Sequence, residues 1–356
     1  MQSAYQADRR QERLDKTRVA VIIPYYNGSS FIERSVRSVL EQTVPPAEFI
    51  VVDDGSSPAE AERLDEIAAD MGFRVLHKQN GGQGSARNAG VAASSADYIC
   101  FLDQDDFYLR NHIESLVDAM PENEPHFGWV YGELFEAEGN GDIVHTSIVA
   151  RNSTNPKANI FELLSRDMFV LPSASLISRK AFEAVGGFDE QFMGYEDDDL
   201  FLRIFRAGFT NHFTAKPVTV WCIHTESTSY GIRMARSRLR YFEKLAAAFP
   251  DDDVKERFYM RDALIPRFNH QFISEAIAAV GASSGKFATY RDEYIAIAQK
   301  YTDIVCATPT VSRLFKARAR LRMRLLASPR WQRLYELYPL LSRARHVGRR
   351  LGRSFR

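Results

Sequence analysis

Apolar and polar positions fall into alternating blocks along the first hundred residues, and the blocks read as strand, helix, strand. Arg18–Pro24 (RVAVIIP) is a short continuous apolar run, the pattern of a strand buried on both faces. Ser29 or Ser30 can cap a helix that continues to about Gln42, and Phe49–Asp53 supplies a second strand. Residues 59–71 have helical spacing, Phe73–His77 is extended, and Tyr98–Asp103 (YICFLD) is another buried run. Repeated βαβ units predict an α/β fold whose central sheet is mainly parallel, with right-handed crossovers and a ligand crevice at the carboxyl ends of the strands.

Beyond about residue 120 the pattern is less regular. It predicts a hairpin around Glu138-Gly139-Asn140-Gly141-Asp142, a helix near 158–167 and a strand near 173–178. The loop Gly186-Gly187-Phe188-Asp189 leads through Met193-Gly194-Tyr195 into a helix over 197–207 that stops at Gly208. Helical sequence dominates from about 233. Four regions follow: a polar arm over 1–17, an α/β domain over 18–230, a helical region over 231–307 and a basic amphipathic tail over 308–356.

The tail changes the picture that composition alone presents. The chain of 356 residues is 45% hydrophobic and has a formal net charge of zero, ordinary values for a globular protein. Yet residues 308–356 hold fourteen Lys or Arg against one acid, Glu336, which leaves the preceding residues strongly acidic. Val311, Leu314, Ala317 and Leu321 form one apolar stripe at helical spacing, and Trp331, Leu334, Tyr335, Tyr338 and Leu341 form a second, with a break at Ser328-Pro329. Three fates suit such a tail: an anionic membrane surface, packing on the acidic remainder, or nucleic acid. Arginine with Trp and Tyr on an amphipathic helix favours the membrane, and nucleic acid is the weakest of the three. No run reaches the roughly 20 apolar residues of a spanning helix, and Met1–Arg18 is not signal-like, so the expected location is cytoplasmic, peripheral at the inner face of the membrane. Cys100, Cys222 and Cys306 lie too far apart in sequence for a metal motif and are expected to be small buried residues.

Chemistry concentrates in three acidic clusters: Asp53-Asp54-Gly55-Ser56, Asp103-Gln104-Asp105-Asp106 and Glu196-Asp197-Asp198-Asp199. The first two stand at predicted strand ends, so the carboxylates gather at one edge of the sheet. Such a concentration repels itself unless a cation, a nucleotide's donors or a reacting hydroxyl uses it. Dinucleotide and P-loop chemistry are disfavoured, because the turn after the first strand reads Pro24-Tyr25-Tyr26-Asn27-Gly28 and the glycine-rich segment comes after the third strand. Asp105 and Asp106, adjacent hard-oxygen donors, are the best candidates to hold a hard cation such as Mn²⁺ or Mg²⁺. His224, at the end of the strand-like Val218–His224 run, is a candidate to complete that shell, the alternative being a structural histidine. For Asp103–Asp106 the competing reading is a cap on a helix over Phe107–Met120, and for Glu196–Asp199 a run that favours the helix dipole.

In order, Pro24-Tyr25-Tyr26-Asn27, Asp53-Asp54-Gly55-Ser56, Gly81–Asn88 ending Ala86-Arg87-Asn88, Asp103-Gln104-Asp105-Asp106, Gly186-Gly187-Phe188-Asp189 and Glu196-Asp197 resemble family 2 of the nucleotide-sugar glycosyltransferases, which have the GT-A fold. The resemblance covers roughly residues 18–225. It implies that Asp54 accepts a hydrogen bond from the base N3–H and that Tyr26 stacks on that base, which prefers uracil or thymine. It further implies that Asp53 supports the loop or ribose, that Asp103 lies near the ribose or the metal's waters, and that Arg87 faces the diphosphate. Asp197 matches the family's base, with Glu196 orienting it or holding an acceptor hydroxyl. The expected enzyme is metal-dependent and inverting, moving a sugar from a nucleotide donor, UDP-sugar preferred, to a glycan or lipid-linked acceptor. Polysaccharide synthases of the family carry spanning helices and Q-x-x-R-W; Ala327 stands where that motif before Arg330-Trp331 needs Gln, so transfer is expected to be non-processive. The alternatives are a non-catalytic sugar-nucleotide or membrane adaptor of the same fold, and a retaining transferase or nucleotidyltransferase.

Overall fold

A computed structural model describes residues 2–223 and 231–328, with side chains from residue 8 onward. Its strands are β1 Val19–Tyr25, β2 Glu48–Asp53, β3 Arg74–His77, β4 Tyr98–Phe101, β5 Phe107–Tyr108, β6 Phe127–Glu138, β7 Ile143–His145, β8 Ser175–Ser178 and β9 Thr210–Ile223. They form one sheet in the order β3-β2-β1-β4-β8-β6-β9-β5, with β7 paired to β6. The strands β1 to β4 are mutually parallel, whereas β8 runs antiparallel to both β4 and β6. The change of direction follows from the connections. Helices α2 Ser29–Leu40, α3 Pro58–Met71 and α4 Gln83–Ala92 provide the crossovers that parallel pairing requires.

All seven residues of β1 are buried, as its unbroken apolar run demands. The helix α4 packs closely on this strand because Gly90 has no side chain: a Cβ there would lie 2.4 Å from Cγ2 of Ile22. Beyond β4, the helix expected over Phe107–Met120 begins later. Phe107 and Tyr108 pair with Val220 and Thr219 of β9, and α5 spans only His112–Ala119. Asp103–Asp106 therefore lead into a strand and do not cap a helix. The polar N-terminal arm is also helical: α1, Gln2–Lys16, is tied to α5 by Arg10, which donates to Asp118 at 2.8 Å and to Glu114 at 2.5 Å.

His112 is fully buried under β9, stacked on Tyr108 with ring centroids 3.5 Å apart. Its Nδ1 lies 3.0 Å from the Val218 carbonyl, so Nδ1 carries the proton, and Nε2 has no partner among the described residues. Burial pushes its pKa from 6.5 down to about 3. The imidazole is neutral in the fold but charges in the unfolded chain, so stability is retained above pH 6.5 and lost as pH falls below it. The expected contribution is about 1.4 kcal/mol per pH unit between those limits. Urea midpoints measured from pH 7 to pH 5 should fall more steeply for the wild type than for His112→Gln.

The described residues fall into two compact units, 2–159 with 168–223, and 160–167 with 231–328. The second is helical and has its own aromatic core, in which Tyr301 lies 4.9 Å from Phe242 and 4.6 Å from Phe272 between ring centroids. Its last described helix, Arg313–Ala327, buries Ala319, Met323 and Leu326. Met323 and Leu326 pack among Ile273, Ala276, Val280 and Ala298. Of the stripe through Val311, Leu314, Ala317 and Leu321, Val311 is buried, but Leu314 and Leu321 are 61% and 57% exposed. Among the described residues no helix is long and apolar enough to cross a membrane. Pro329 and the second stripe lie outside the described residues.

Candidate active site

The carboxyl ends of β1, β2 and β4 open on one edge of the sheet, and side chains cross-link the loops that leave them. After β1, the backbone of Tyr26 is pinned by the Gln104 side chain, with N donating to Oε1 at 2.8 Å and O accepting from Nε2 at 3.3 Å. This leaves the Tyr26 ring 50% exposed at the rim, while Pro24 is buried in the strand. Asn27, at φ 47°, donates its N–H to Ser56 Oγ at 2.9 Å and accepts from Ser57 N at 2.9 Å. The loop between them is fitted tightly: a Cβ on Gly28 would meet the Gln104 amide at 2.4 Å.

At the end of β2 both acids are buried. Asp53 accepts from Ser56 N at 3.0 Å and faces His77 Nδ1 at 2.9 Å. Hydrogen bonding to Asp53, with help from Asp65, raises the pKa of His77. Asp54 accepts from Gly81 N at 3.0 Å, Gly82 N at 2.7 Å and Lys78 Nζ at 2.6 Å. The Asp54 carboxylate thus shapes the glycine-rich turn into α4.

Arg87, on α4, is the central cross-link. Its guanidinium is 2% exposed and donates to Asp103 at 2.6 Å and to Glu196 at 3.2 Å, sandwiched against the rings of Phe188 at 5.1 Å and Phe101 at 5.9 Å. Burial opposes its charge, but the two carboxylates more than compensate and its pKa is raised. Gln83 donates to the same Asp103 oxygen at 2.8 Å. Arg87 is therefore built into the wall of the site with Nη1 and Nη2 each engaged by a carboxylate, a different placement from the diphosphate-facing one that the resemblance implies.

In the loop after β4, Ser35 donates to the Gln104 and Asp106 carbonyls and Arg34 to the Asp105 carbonyl, which fixes the backbone from α2. Asp106 is 2% exposed and accepts from Cys222 N of β9 at 2.8 Å. Burial and the neighbouring Asp105 and Asp103 charges push its carboxyl well above the usual range. Asp103 and Asp105 are partly exposed.

On the far side, the helix Glu196–Arg206 starts after Tyr195, held at φ 67°. Its four leading acids divide by environment. Glu196 is 6% exposed and takes Arg87 and Gly194 N, the latter at 2.8 Å. Asp199 pairs with Arg203 at 2.7 Å, and Asp198 is buried. Asp197 is the partly exposed member, with one oxygen accepting from Asp198 N at 2.8 Å.

Among the described residues no three His, Cys, Asp or Glu side chains converge as a complete metal cage. His224 lies outside the described residues. The donor set nonetheless fits Mn²⁺ or Mg²⁺: Asp103 and Asp105 offer hard oxygens at the edge, whereas Asp106, expected as a ligand beside Asp105, is buried with one oxygen taken by Cys222 N, and burial first, then the Asp105 and Asp103 charges, raises its pKa. Such ions commonly take one or two carboxylates and complete the octahedron with phosphate and water oxygens. Sequence reasoning missed Gln104, Gln83 and Lys78, which build the site by holding other residues; nothing in their local pattern marks them.

The family model for glycosyl transferase family 2 matches residues 20–186, and that for the N-terminal domain of galactosyltransferase matches residues 171–226. These matches support a family 2 glycosyltransferase. An uncharacterized glycosyltransferase of Rickettsia conorii is 34% identical over 218 residues, 60% of this chain and 35% of that protein. The chain thus spans about a third of that relative's length. The structure of S. aureus TarS 1–349 in complex with UDP-GlcNAc covers 91% of this chain and 92% of its own, at 16% identity and a TM-score of 0.60. The mannosyltransferase PcManGT from Pyrobaculum calidifontis, in complex with GDP-Man and Mn²⁺, covers 90% of this chain and 91% of its own, at 16% identity and a TM-score of 0.52. These likenesses are of fold, and the fold of this chain is GT-A with helices following it.

Proposed function

We propose that this chain transfers one sugar from a nucleoside diphosphate donor, UDP-sugar preferred, to a hydroxyl of a glycan or lipid-linked acceptor, with inversion and with a divalent cation. The observation that carries the reading is the hydrogen-bonded cross-link Asp103–Arg87–Glu196, which joins the acid loop after β4 to the start of the helix bearing Asp197. That link holds the carboxylates of the Asp103–Asp106 loop and the partly exposed Asp197 at one edge of the sheet, which supports the reading. The family match and the bound donors of the two structural relatives support a nucleotide sugar.

Tyr26 offers an aromatic face at the rim for the base, while Asn27, Asp53 and Asp54 hold the loops beneath it. Asp105 would hold the Mn²⁺ or Mg²⁺, with Asp106 bracing the loop from behind and Asp103 positioned by Arg87; His224 is a further ligand candidate. When bound, the cation neutralises the charge that develops on the departing diphosphate. Asp197 accepts the acceptor hydroxyl's proton while that oxygen bonds to the anomeric carbon. The bond from that carbon to the diphosphate oxygen breaks with its electron pair leaving on the nucleotide, which inverts the centre. Glu196, already shared between Arg87 and Gly194 N, positions the helix start and is not the base.

Nucleotide release from a panel of UDP-, dTDP- and GDP-sugars, with Mn²⁺, Mg²⁺ or EDTA, tests this directly. Release is expected with a uridine donor and the cation, with at least a tenfold fall in EDTA, about the loss that removing a Lewis acid worth several kcal/mol predicts at minimum. Tight nucleotide-sugar binding without release under any condition would favour the adaptor, and retained anomeric configuration in the product would overturn inversion.

A further inference from the structure

The helix Arg313–Ala327 has two apolar faces, of which one is packed. Ala319, Met323 and Leu326 occupy the packed side. At 100° per residue, Leu314 and Leu321 lie on nearly the opposite side, two turns apart, and both are more than half exposed. Leu325 falls on the same line and is partly exposed. Arg318 and Arg322 flank this line on one side, and Arg313, Arg320 and Arg324 on the other. The helix contains no acid, and among the described residues none of these arginines makes an ion pair. A free helix face with leucines in the middle and guanidinium groups along both margins does not complement water or a basic surface.

We propose that this face lies on an anionic lipid surface, its leucines entering the boundary between headgroups and acyl chains while the arginines contact lipid phosphates. Each lysine or arginine near such a surface adds to the attraction, and exposed leucines supply an apolar contact that charge alone lacks. That apolar centre is what distinguishes a bilayer from nucleic acid, whose backbone would meet the same arginines but has no use for the leucines. The inference does not depend on the catalytic reading, because it concerns a different unit and is tested by binding.

The full chain is sedimented with vesicles of phosphatidylcholine containing 30% phosphatidylglycerol, and with phosphatidylcholine alone. Binding to the anionic vesicles only is expected, and Leu314→Gln/Leu321→Gln, which keeps every charge, is expected to weaken it by about tenfold or more. Both side chains are exposed, so an unchanged thermal midpoint shows that the variant folds. In a second measurement, Leu321→Cys carries an environment-sensitive dye, the three native cysteines being buried. Its emission should shift to the blue on anionic vesicles. Equal vesicle binding by the leucine variant, a dye that stays in water, or binding to an oligonucleotide duplex in the absence of vesicle binding would each overturn the proposal.

Discussion

Asp197→Asn is expected to lower turnover by about 10²-fold or more while UDP affinity stays at the wild-type level. The environment of the helix start selects this residue from four consecutive acids. Glu196 is committed to Arg87 and Gly194 N, Asp199 to Arg203, and Asp198 is buried. Asp197 alone of the four is partly exposed, and its Oδ1 is oriented by the Asp198 N–H. Asparagine keeps the shape and can still accept that hydrogen bond, so the helix start survives. What it lacks is the ability to take a proton from the acceptor hydroxyl. The acidic limb of the pH profile of kcat/KM should vanish with it. Asp199→Asn provides the contrast, since it loosens the contact with Arg203 and should act on stability in preference to turnover. Near-normal turnover in Asp197→Asn, measured as nucleotide release at saturating donor, would remove the residue from the role of base.

The strands β1, β2 and β4 were legible in the pattern of apolar positions because both of their faces are covered, and coverage on both faces leaves little room for a polar residue. The same logic reads less well farther along. Phe107 and Tyr108 join a helix-like apolar pattern, yet pairing with Val220 and Thr219 makes them a strand, a decision taken more than a hundred residues away. The N-terminal helix has no apolar stripe to announce it and is held by ion pairs with α5. In the tail, periodicity finds leucines at helical spacing but does not say which stripe is packed. Ala319, Met323 and Leu326, interrupted by arginine, form the covered face, and the plainer stripe through Leu314 and Leu321 is exposed. At the candidate site the acids stand out, because clustered carboxylates are conspicuous in any sequence. The groups that hold them do not. Gln104 reaches across 78 positions to the backbone of Tyr26, and only the folded chain brings the two together.

Arg87→Met is expected to destabilise the protein by about 3–5 kcal/mol, the usual cost of removing one partner from a buried ion pair. The side chain sits 2% exposed between Asp103 and Glu196 and fills the space between two phenylalanine rings. Methionine replaces much of the apolar stem, so the loss arises mainly from two carboxylates deprived of their countercharge. A urea midpoint that falls with an unchanged slope would report this loss in a two-state transition. Lysine should restore only part of it, because one ammonium lacks the planar fork that reaches both acids. Adding Glu196→Gln to Arg87→Met removes one stranded charge. The double variant should then be less unstable than the sum of the single changes, with a coupling of about 0.5–3 kcal/mol. Additive losses, or an Arg87→Met protein as stable as the wild type, would mean that the ion pairs do not hold this edge of the sheet. Because Arg87 joins the loop of Asp103 to the helix start at Glu196, the same substitution should also lower turnover in whatever protein remains folded. In the proposed reaction Arg87 sets the spacing between the Asp103–Asp106 loop and the helix bearing Asp197, and a small error in that spacing is costly to a displacement that needs both.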